Sequence, residues 1–439
     1  MLPGPSLLLS VARALVGRGL GAVAQLLVTF ALGRLFGADG SGTVMLSLTL
    51  LLLLSMLGRR GLDFALLRIG SEAWGQSDRP RFWAAVQDAS RHAFVSSLLI
   101  AVVFMLASPW LAEAVFHNPG MRSVLPWFAA AIPAYSMLSL FCESHKAIDR
   151  PGAGNFFHTA VIPVCFALVL AVLHWTDRRY ESYAAVGYML ATYTAAAAAF
   201  VSLVRCAGPP QRKPDSELPQ MRRSGVPLLI YSLFTMAGGW LPLICLGMFG
   251  DPDQVGQFGA AARIAVVILF ILLAFNSVTP ARFARLHAAG DMEGISRLAR
   301  NTSVLMTIVA LPLTLGLCLF GGWILGWMGD DFPPAAPALA ILAVAQLINV
   351  ATGSVGYVLI MTGHESQLRR AATLGFGVNL LGCLILIPLW GVVGAGMAAA
   401  TAIVTENLVA TWLAFKVTGV VSLPWPAMAM PNRAEGQHG

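Results

Sequence analysis

Charged residues are scarce in this chain: they make up 11% of its 439 residues, against about 25% in a soluble protein. Hydrophobic residues reach 57%, and the mean hydropathy is +0.74. That balance excludes a string of soluble domains, although the length would otherwise allow roughly three. The net charge of +7 comes mostly from Arg. A nucleic-acid-binding chain carries such charge on a hydrophilic face. Here the arginines sit between apolar runs, so no nucleic-acid partner is expected and the charge reports membrane topology.

Cysteine is sparse as well. Cys142, Cys165, Cys206, Cys245, Cys318 and Cys383 lie far apart. With no CxxC pair and no zinc-like His/Cys spacing, they point to neither a disulfide framework nor a metal site. Catalytic signatures are missing: there is no G-x-x-x-x-G-K-[ST], no H-E-x-x-H and no G-x-S-x-G. Gly17-Arg18-Gly19-Leu20-Gly21 follows no strand and is not a dinucleotide fingerprint; Gly17 and Gly21 instead permit close helix packing. The expectation is a protein that is not an enzyme and uses no cofactor. The N-terminus has no charged region before its apolar stretch and no cleavage site, so it reads as the start of a first span rather than a removed signal.

Long apolar runs are abundant. They fall at 11–36, 41–58, 92–112, 123–144, 156–175, 182–204, 225–249, 256–280, 302–328, 335–361, 371–390 and 393–418. Each can cross about 30 Å of hydrocarbon as a helix rising 1.5 Å per residue. A helix is required because open strands leave backbone groups unpaired in lipid. The chain is therefore read as an all-α integral membrane protein of about 12 transmembrane helices.

Loop charge orients these spans. Arg59, Arg60, Arg68, Arg79, Arg81 and Arg91 crowd 59–91; Arg205, Arg212, Lys213, Arg222 and Arg223 crowd 205–224; Arg282, Arg285, Arg297 and Arg300 crowd 281–301. Lys146, Arg150, Arg369 and Arg370 mark shorter loops of the same set. The intervening loops hold few cations and more Asp, including Asp251, Asp253, Asp330 and Asp331. Basic loops and both termini are placed in the cytoplasm, with the protein in a bacterial inner membrane. No loop is large enough for a catalytic domain. The segment 205–224 carries Pro209, Pro210, Pro214 and Pro219 and reads as a linker between an N-terminal six-helix lobe, 1–204, and a C-terminal one, 225–419, followed by a tail, 420–439.

The halves echo each other at an offset of roughly 210 residues. Phe36-Gly37 and then Gly42 match Phe249-Gly250 and then Gly256. Ser144-His145-Lys146 matches Gly363-His364-Glu365, and Ala185-Val186-Gly187-Tyr188-Met189 matches Val393-Gly394-Ala395-Gly396-Met397. Six spans per half give both repeats the same orientation. That implies a pseudo-twofold axis along the membrane normal and a cavity between the lobes.

Several stretches carry a family resemblance over nearly the whole chain. They are Ala31-Leu32-Gly33-Arg34-Leu35-Phe36-Gly37-Ala38-Asp39-Gly40-Ser41-Gly42, Arg60-Gly61-Leu62-Asp63, Val255-Gly256-Gln257-Phe258-Gly259-Ala260-Ala261-Ala262-Arg263, and Ile387-Pro388-Leu389-Trp390-Gly391-Val392-Val393-Gly394-Ala395. The chain resembles the polysaccharide (oligosaccharide) flippases of the multidrug/oligosaccharidyl-lipid/polysaccharide (MOP) exporter superfamily. The resemblance implies two six-helix lobes, alternating access, and transbilayer movement of an oligosaccharide on a polyprenyl pyrophosphate for cell-surface polysaccharide, such as lipopolysaccharide or exopolysaccharide. Membrane lipids, a polysaccharide polymerase and assembly proteins are the further partners it implies. Gln257-Phe258 and Thr43-Val44 stand where an aromatic more usually follows the Gly.

The residues themselves favour an anionic substrate. An Arg at the bilayer centre costs about 2.5–3.5 kcal/mol on insertion scales and persists where it faces protein or water. Arg18, Ala22, Gln25 and Thr29 fall on one helical stripe of the first span, with Arg13 nearer its end. Arg263 stands alone among Ala, Ile and Val in the eighth. A guanidinium matches phosphate as a bidentate fork, so Arg18, Arg263, Arg13 and Gln25 are candidates for a pyrophosphate cavity. Snorkelling of Arg13 and an internal ion pair with Glu406 are the plainer readings. Arg59, Arg60 and Arg68 are either topology and headgroup contacts or a vestibule gathering the pyrophosphate. Glu406 is either a coupling site for a proton or cation, or a counter-ion. Glu143 is read as solvated at a helix end. His158 and His174 are isolated and read as structural. A proline kink is expected at Pro133, Pro163, Pro242, Pro312 and Pro388, with Gly238-Gly239 a hinge. Two other readings remain: a cation-coupled drug antiporter of the same superfamily, which would want acids inside the N-terminal lobe, and a membrane polymerase or ligase, which would want catalytic acids or a large outer loop.

Overall fold

Glycine sets the largest features of the architecture. The computed structural model describes residues 5–177, 180–211, 238–276 and 279–423, with isolated positions 229 and 233; for 5–20, 22 and 281 it describes the backbone alone. The first helix, α1 (Pro5–Arg59), covers two expected spans and breaks only at Gly37, whose φ of 66° and ψ of −168° are open to glycine. The last, α14 (Glu365–Thr418), covers two more and breaks at Gly391, φ 50° and ψ −121°. No loop separates these pairs. A single residue reverses the chain and both flanking helices keep their backbone hydrogen bonds, as the bilayer demands.

Between them run α2 (Leu62–Gly75), α3 (Arg79–Trp110), α4 (Met121–Ala147), α5 (Pro151–Phe156), α6 (Ile162–Trp175) and α7 (Glu181–Ala207) in the N-terminal lobe. The C-terminal lobe holds α8 (Gly238–Phe249), α9 (Pro252–Phe275), α10 (Thr279–Ala288), α11 (Met292–Gly326), α12 (Ala336–Thr352) and α13 (Val355–Met361). Among the described residues, nine helical stretches are long and apolar enough to cross a membrane. Two of them are the paired spans of α1 and α14, and the shorter apolar α8 supplies the remaining crossing. Twelve spans result, in an all-helical, multi-pass integral membrane protein. Positions 212–224 of the linker, the first part of the seventh span and the tail from 424 lie outside the described residues.

The basic stretches are more ordered than loops. Residues 62–75 form α2, and α3 starts at Arg79, capped by the Asp78 carboxylate accepting from the Arg81 amide at 2.9 Å. Phe82 and Trp83 there are fully buried, each worth about 1.5–3 kcal/mol. They pack with Leu66, Ile69 and Leu203. The C-terminal lobe repeats the plan. After the eighth span comes α10, then α11, capped by Asp291 accepting from the Gly294 amide at 2.6 Å.

The lobes meet at one end. Asp253 and Asp331 mark the acidic end of the molecule, and Arg59 and Arg369 its basic end. Gly42 and Gly256, matched across the repeat, face each other here. A Cβ on Gly42 would lie 2.7 Å from the Gly256 amide nitrogen, and one on Gly256 would strike the Ala38 carbonyl. Phe30 meets Trp327 at 6.5 Å between ring centroids, and Gly33 seats Met328 and Phe332. Leu35, Met45 and Leu46 share one core with Leu246, Phe258 and Phe332. These contacts hold the lobes together over the acidic half.

Candidate central cavity

Below that seal the lobes enclose a cavity of about 410 Å³. The α1 wall is apolar, with Val28, Leu32, Met45, Leu48 and Leu52; Leu243 and Phe258 stand opposite. The polar lining is Gln25, Thr49, Tyr135, His158, Tyr188, Trp240 and Arg263. On α9, Gly259, Arg263 and Val266 follow i, i+4, i+7 spacing and so share the cavity face. Arg263 is eleven residues beyond Pro252, which places it about 16 Å along the helix, near the middle of the hydrocarbon. Among the described residues no carboxylate pairs with it.

Gln25 lines the same cavity. Thr29 does not: it is fully buried and its hydroxyl returns to the Gln25 carbonyl at 2.9 Å. The side chains of Arg13 and Arg18 lie outside the described residues. The aromatic wall was not legible in advance. Tyr135 and His158 stand 6.0 Å apart between ring centroids, and Tyr188 packs on Phe166 at 5.2 Å and Phe128 at 5.4 Å. His158 reaches the cavity from a π-turn, Phe157–Val161, just before Pro163. The wider turn shifts the register of the side chains relative to an α-helix. Pro163 is the one sequence signal of that irregularity.

The basic side chains at the other end divide. Arg59, 9% exposed, pairs with Asp63 at 3.0 Å, and its Nη1 has no hydrogen-bond acceptor among the described residues. It follows Leu52 by seven residues on α1, hence on the helix face that lines the cavity. Arg60 and Arg68 are exposed, and Arg60 belongs to a different recess with Arg91. Glu143 is ion-paired to Lys146 at 2.6 Å rather than simply solvated.

A second cavity, about 270 Å³, lies within the C-terminal lobe and holds Gln346, Asn379 and Glu406. Phe258, Ala262 and Val266 line both cavities, so α9 forms the wall between them. Arg263 and Glu406 stand on opposite sides of it and form no ion pair. Glu406 packs on Gly375, where a Cβ would come 3.0 Å from its own. The Asn379 amide donates to the Gly238 carbonyl at 2.5 Å.

The profile of a family described as polysaccharide biosynthesis protein matches residues 8–287. The chain belongs to that family. It is a family of membrane transporters and flippases, not of enzymes. A probable low-salt glycan biosynthesis flippase of Haloferax volcanii is 24% identical over 175 residues, 39% of this chain and 37% of that protein. A probable flippase of the same organism is 24% identical over 182 residues, 41% of this chain and 38% of its own. The aligned stretch thus spans well under half the length of these relatives. Among solved structures, the lipid II flippase MurJ in an inward closed conformation superposes with a TM-score of 0.74 at 10% identity, covering 92% of this chain and 87% of its own. An inward-facing MATE-family multidrug transporter of the MOP superfamily gives 0.71 at 12% identity, covering 92% and 98%. At those identities the likeness is one of fold. This polysaccharide biosynthesis protein has the two-lobed MOP architecture.

Proposed function

We propose that the protein flips a polyprenyl-pyrophosphate-linked oligosaccharide from the cytoplasmic to the outer leaflet of a bacterial inner membrane. In this reading the basic end is cytoplasmic and the acidic end faces out. The observation that carries it is Arg263, a guanidinium in the interlobe cavity with no carboxylate partner among the described residues. An Arg fork binds phosphate oxygens in a bidentate manner and stays charged at any physiological pH. Gln25, with Arg18 and Arg13 on the same helix, completes the pyrophosphate site. Tyr135, His158, Tyr188 and Trp240 offer aromatic faces and polar tips to sugar rings. Arg59, with an N–H that has no acceptor among the described residues, is the station at the mouth; Arg60 and Arg68 raise the local positive potential.

The prenyl chain stays in lipid while the headgroup enters between the lobes. The lobes then rock, opening the Gly42–Gly256 seal and closing the basic end. An inside-negative potential favours outward movement of anionic charge by about 2.3 kcal/mol per charge per 100 mV. Glu406 has no cation beside it among the described residues; this favours a coupling role for it over that of counter-ion. The product would feed a surface-polysaccharide polymerase and its assembly partners. The test is flipping of defined lipid-linked oligosaccharides by purified protein in vesicles. Transport that requires the pyrophosphate supports the reading, and export of organic cations in its place would make the protein a drug antiporter.

A further inference from the structure

At the basic end of the N-terminal lobe, α1 passes into α2 through Arg60 and Gly61, both left-handed at φ 53° and 74°. That turn separates two neighbouring arginines. Arg59 is buried against Asp63, whereas Arg60 is exposed on the flank of the lobe. There Arg60 meets Arg91 and His92 of α3 around a recess of about 450 Å³, completed by Val95, Ser96 and Leu99. The recess is held in shape. The Ser96 hydroxyl donates to the Gly58 carbonyl, and a Cβ on Gly58 would fall 2.8 Å from that of Ser97, so α3 seats directly on the end of α1. His92 Nδ1 engages the Asp88 carbonyl at 2.9 Å. Among the described residues no acid pairs with Arg60 or Arg91.

The surroundings identify the ligand. Beyond the recess the exposed face of α3 continues as Leu99, Val103 and Leu106, 63%, 66% and 77% exposed. In a membrane protein such a stripe faces acyl chains. Two guanidinium groups therefore stand where that stripe meets the headgroup layer. Basic recesses at this depth bind anionic headgroups, and the Arg fork fits a phosphodiester. We propose that this recess binds an anionic glycerophospholipid, its phosphate held by Arg60 and Arg91 and an acyl chain laid along Val95 and Leu99. The inference does not rest on the transport reading, because the recess lies on the flank of one lobe and shares no lining residue with the interlobe cavity.

The shared chemistry is a lipid-borne phosphate, and the substrate's pyrophosphate is the competing source. The experiment is native mass spectrometry of the full chain in neutral detergent, titrated with dioleoylphosphatidylglycerol, dioleoylphosphatidylcholine or a polyprenyl pyrophosphate. Phosphatidylglycerol should be retained over phosphatidylcholine. Each Arg→Gln change should weaken it about five-fold, and Arg60→Gln with Arg91→Gln together about thirty-fold. Arg369→Gln with Arg370→Gln should leave it unchanged. The single variants keep the test decisive should the double variant fail to fold. Phosphatidylglycerol binding indifferent to both arginines overturns the proposal, as does displacement of that lipid from the wild type by polyprenyl pyrophosphate at lower concentration. Loss of lipid binding from Arg91→Gln with flipping intact would separate this site from the transport pathway.

Discussion

Arg263 is a single cation half-way along α9 with open volume in front of it. If it holds pyrophosphate, Arg263→Ala removes a charged hydrogen bond worth about 1.5–3 kcal/mol, and flipping should fall roughly 10- to 150-fold. Melting temperature should hold, since no partner charge is stranded by the change. Arg263→Lys should restore part of the rate, because a point charge lacks the fork. Full activity of Arg263→Ala in vesicles would remove the residue from the mechanism. Glu406→Gln should abolish the response of flipping to an imposed proton gradient while sparing binding; an unchanged response would leave the membrane potential as the driving force. Both charges were legible in the sequence, since an ion inside an apolar run is conspicuous. Tyr135, Tyr188 and His158 were not: aromatic residues are ordinary in spans, and a π-turn decides which way His158 points.

At the scale of elements, Gly37 and Gly391 turn two pairs of spans without loops. Gly37→Ala and Gly391→Ala should each lower stability by about 1–3 kcal/mol, the strain of a side chain in a glycine-only conformation. Gly377, helical with open space around its Cα, is the control. Gly377→Ala should be neutral or gain up to about 1 kcal/mol. Thermal unfolding in detergent reads all three, and equal melting temperatures would contradict the assigned backbone. Spans were legible because apolar length is a bilayer requirement. The stretch 59–91 was not, because α2 and the start of α3 bury Leu66, Phe82 and Trp83 while the stretch as a whole carries six arginines, and charge density masked the helical periodicity.

For the whole molecule, the repeat in sequence becomes a contact in space. Gly42 and Gly256 occupy equivalent places in the two halves and pack against each other at the acidic end. The parallel halves were visible as paired short motifs; which surfaces they would join was not, since neither glycine signals a partner. Orientation is tested by labelling. Cysteine placed at Asp253 or Asp331 should react with an impermeant thiol reagent in intact cells, and cysteine at Arg369 only after permeabilisation. The opposite pattern would reverse the direction of transport.

In the proposed transport cycle the lobes must part at the acidic end. Met45 on α1 and Gly259 on α9 stand across that seal, with 3.7 Å between the Met45 Cβ and an ideal Cβ on Gly259, within the range a disulfide bridges. In a background with the six native cysteines replaced, Met45→Cys with Gly259→Cys should cross-link on oxidation, stop the flipping of lipid-linked oligosaccharide in vesicles, and regain it on reduction. Flipping at an undiminished rate by the fully cross-linked protein would contradict the account.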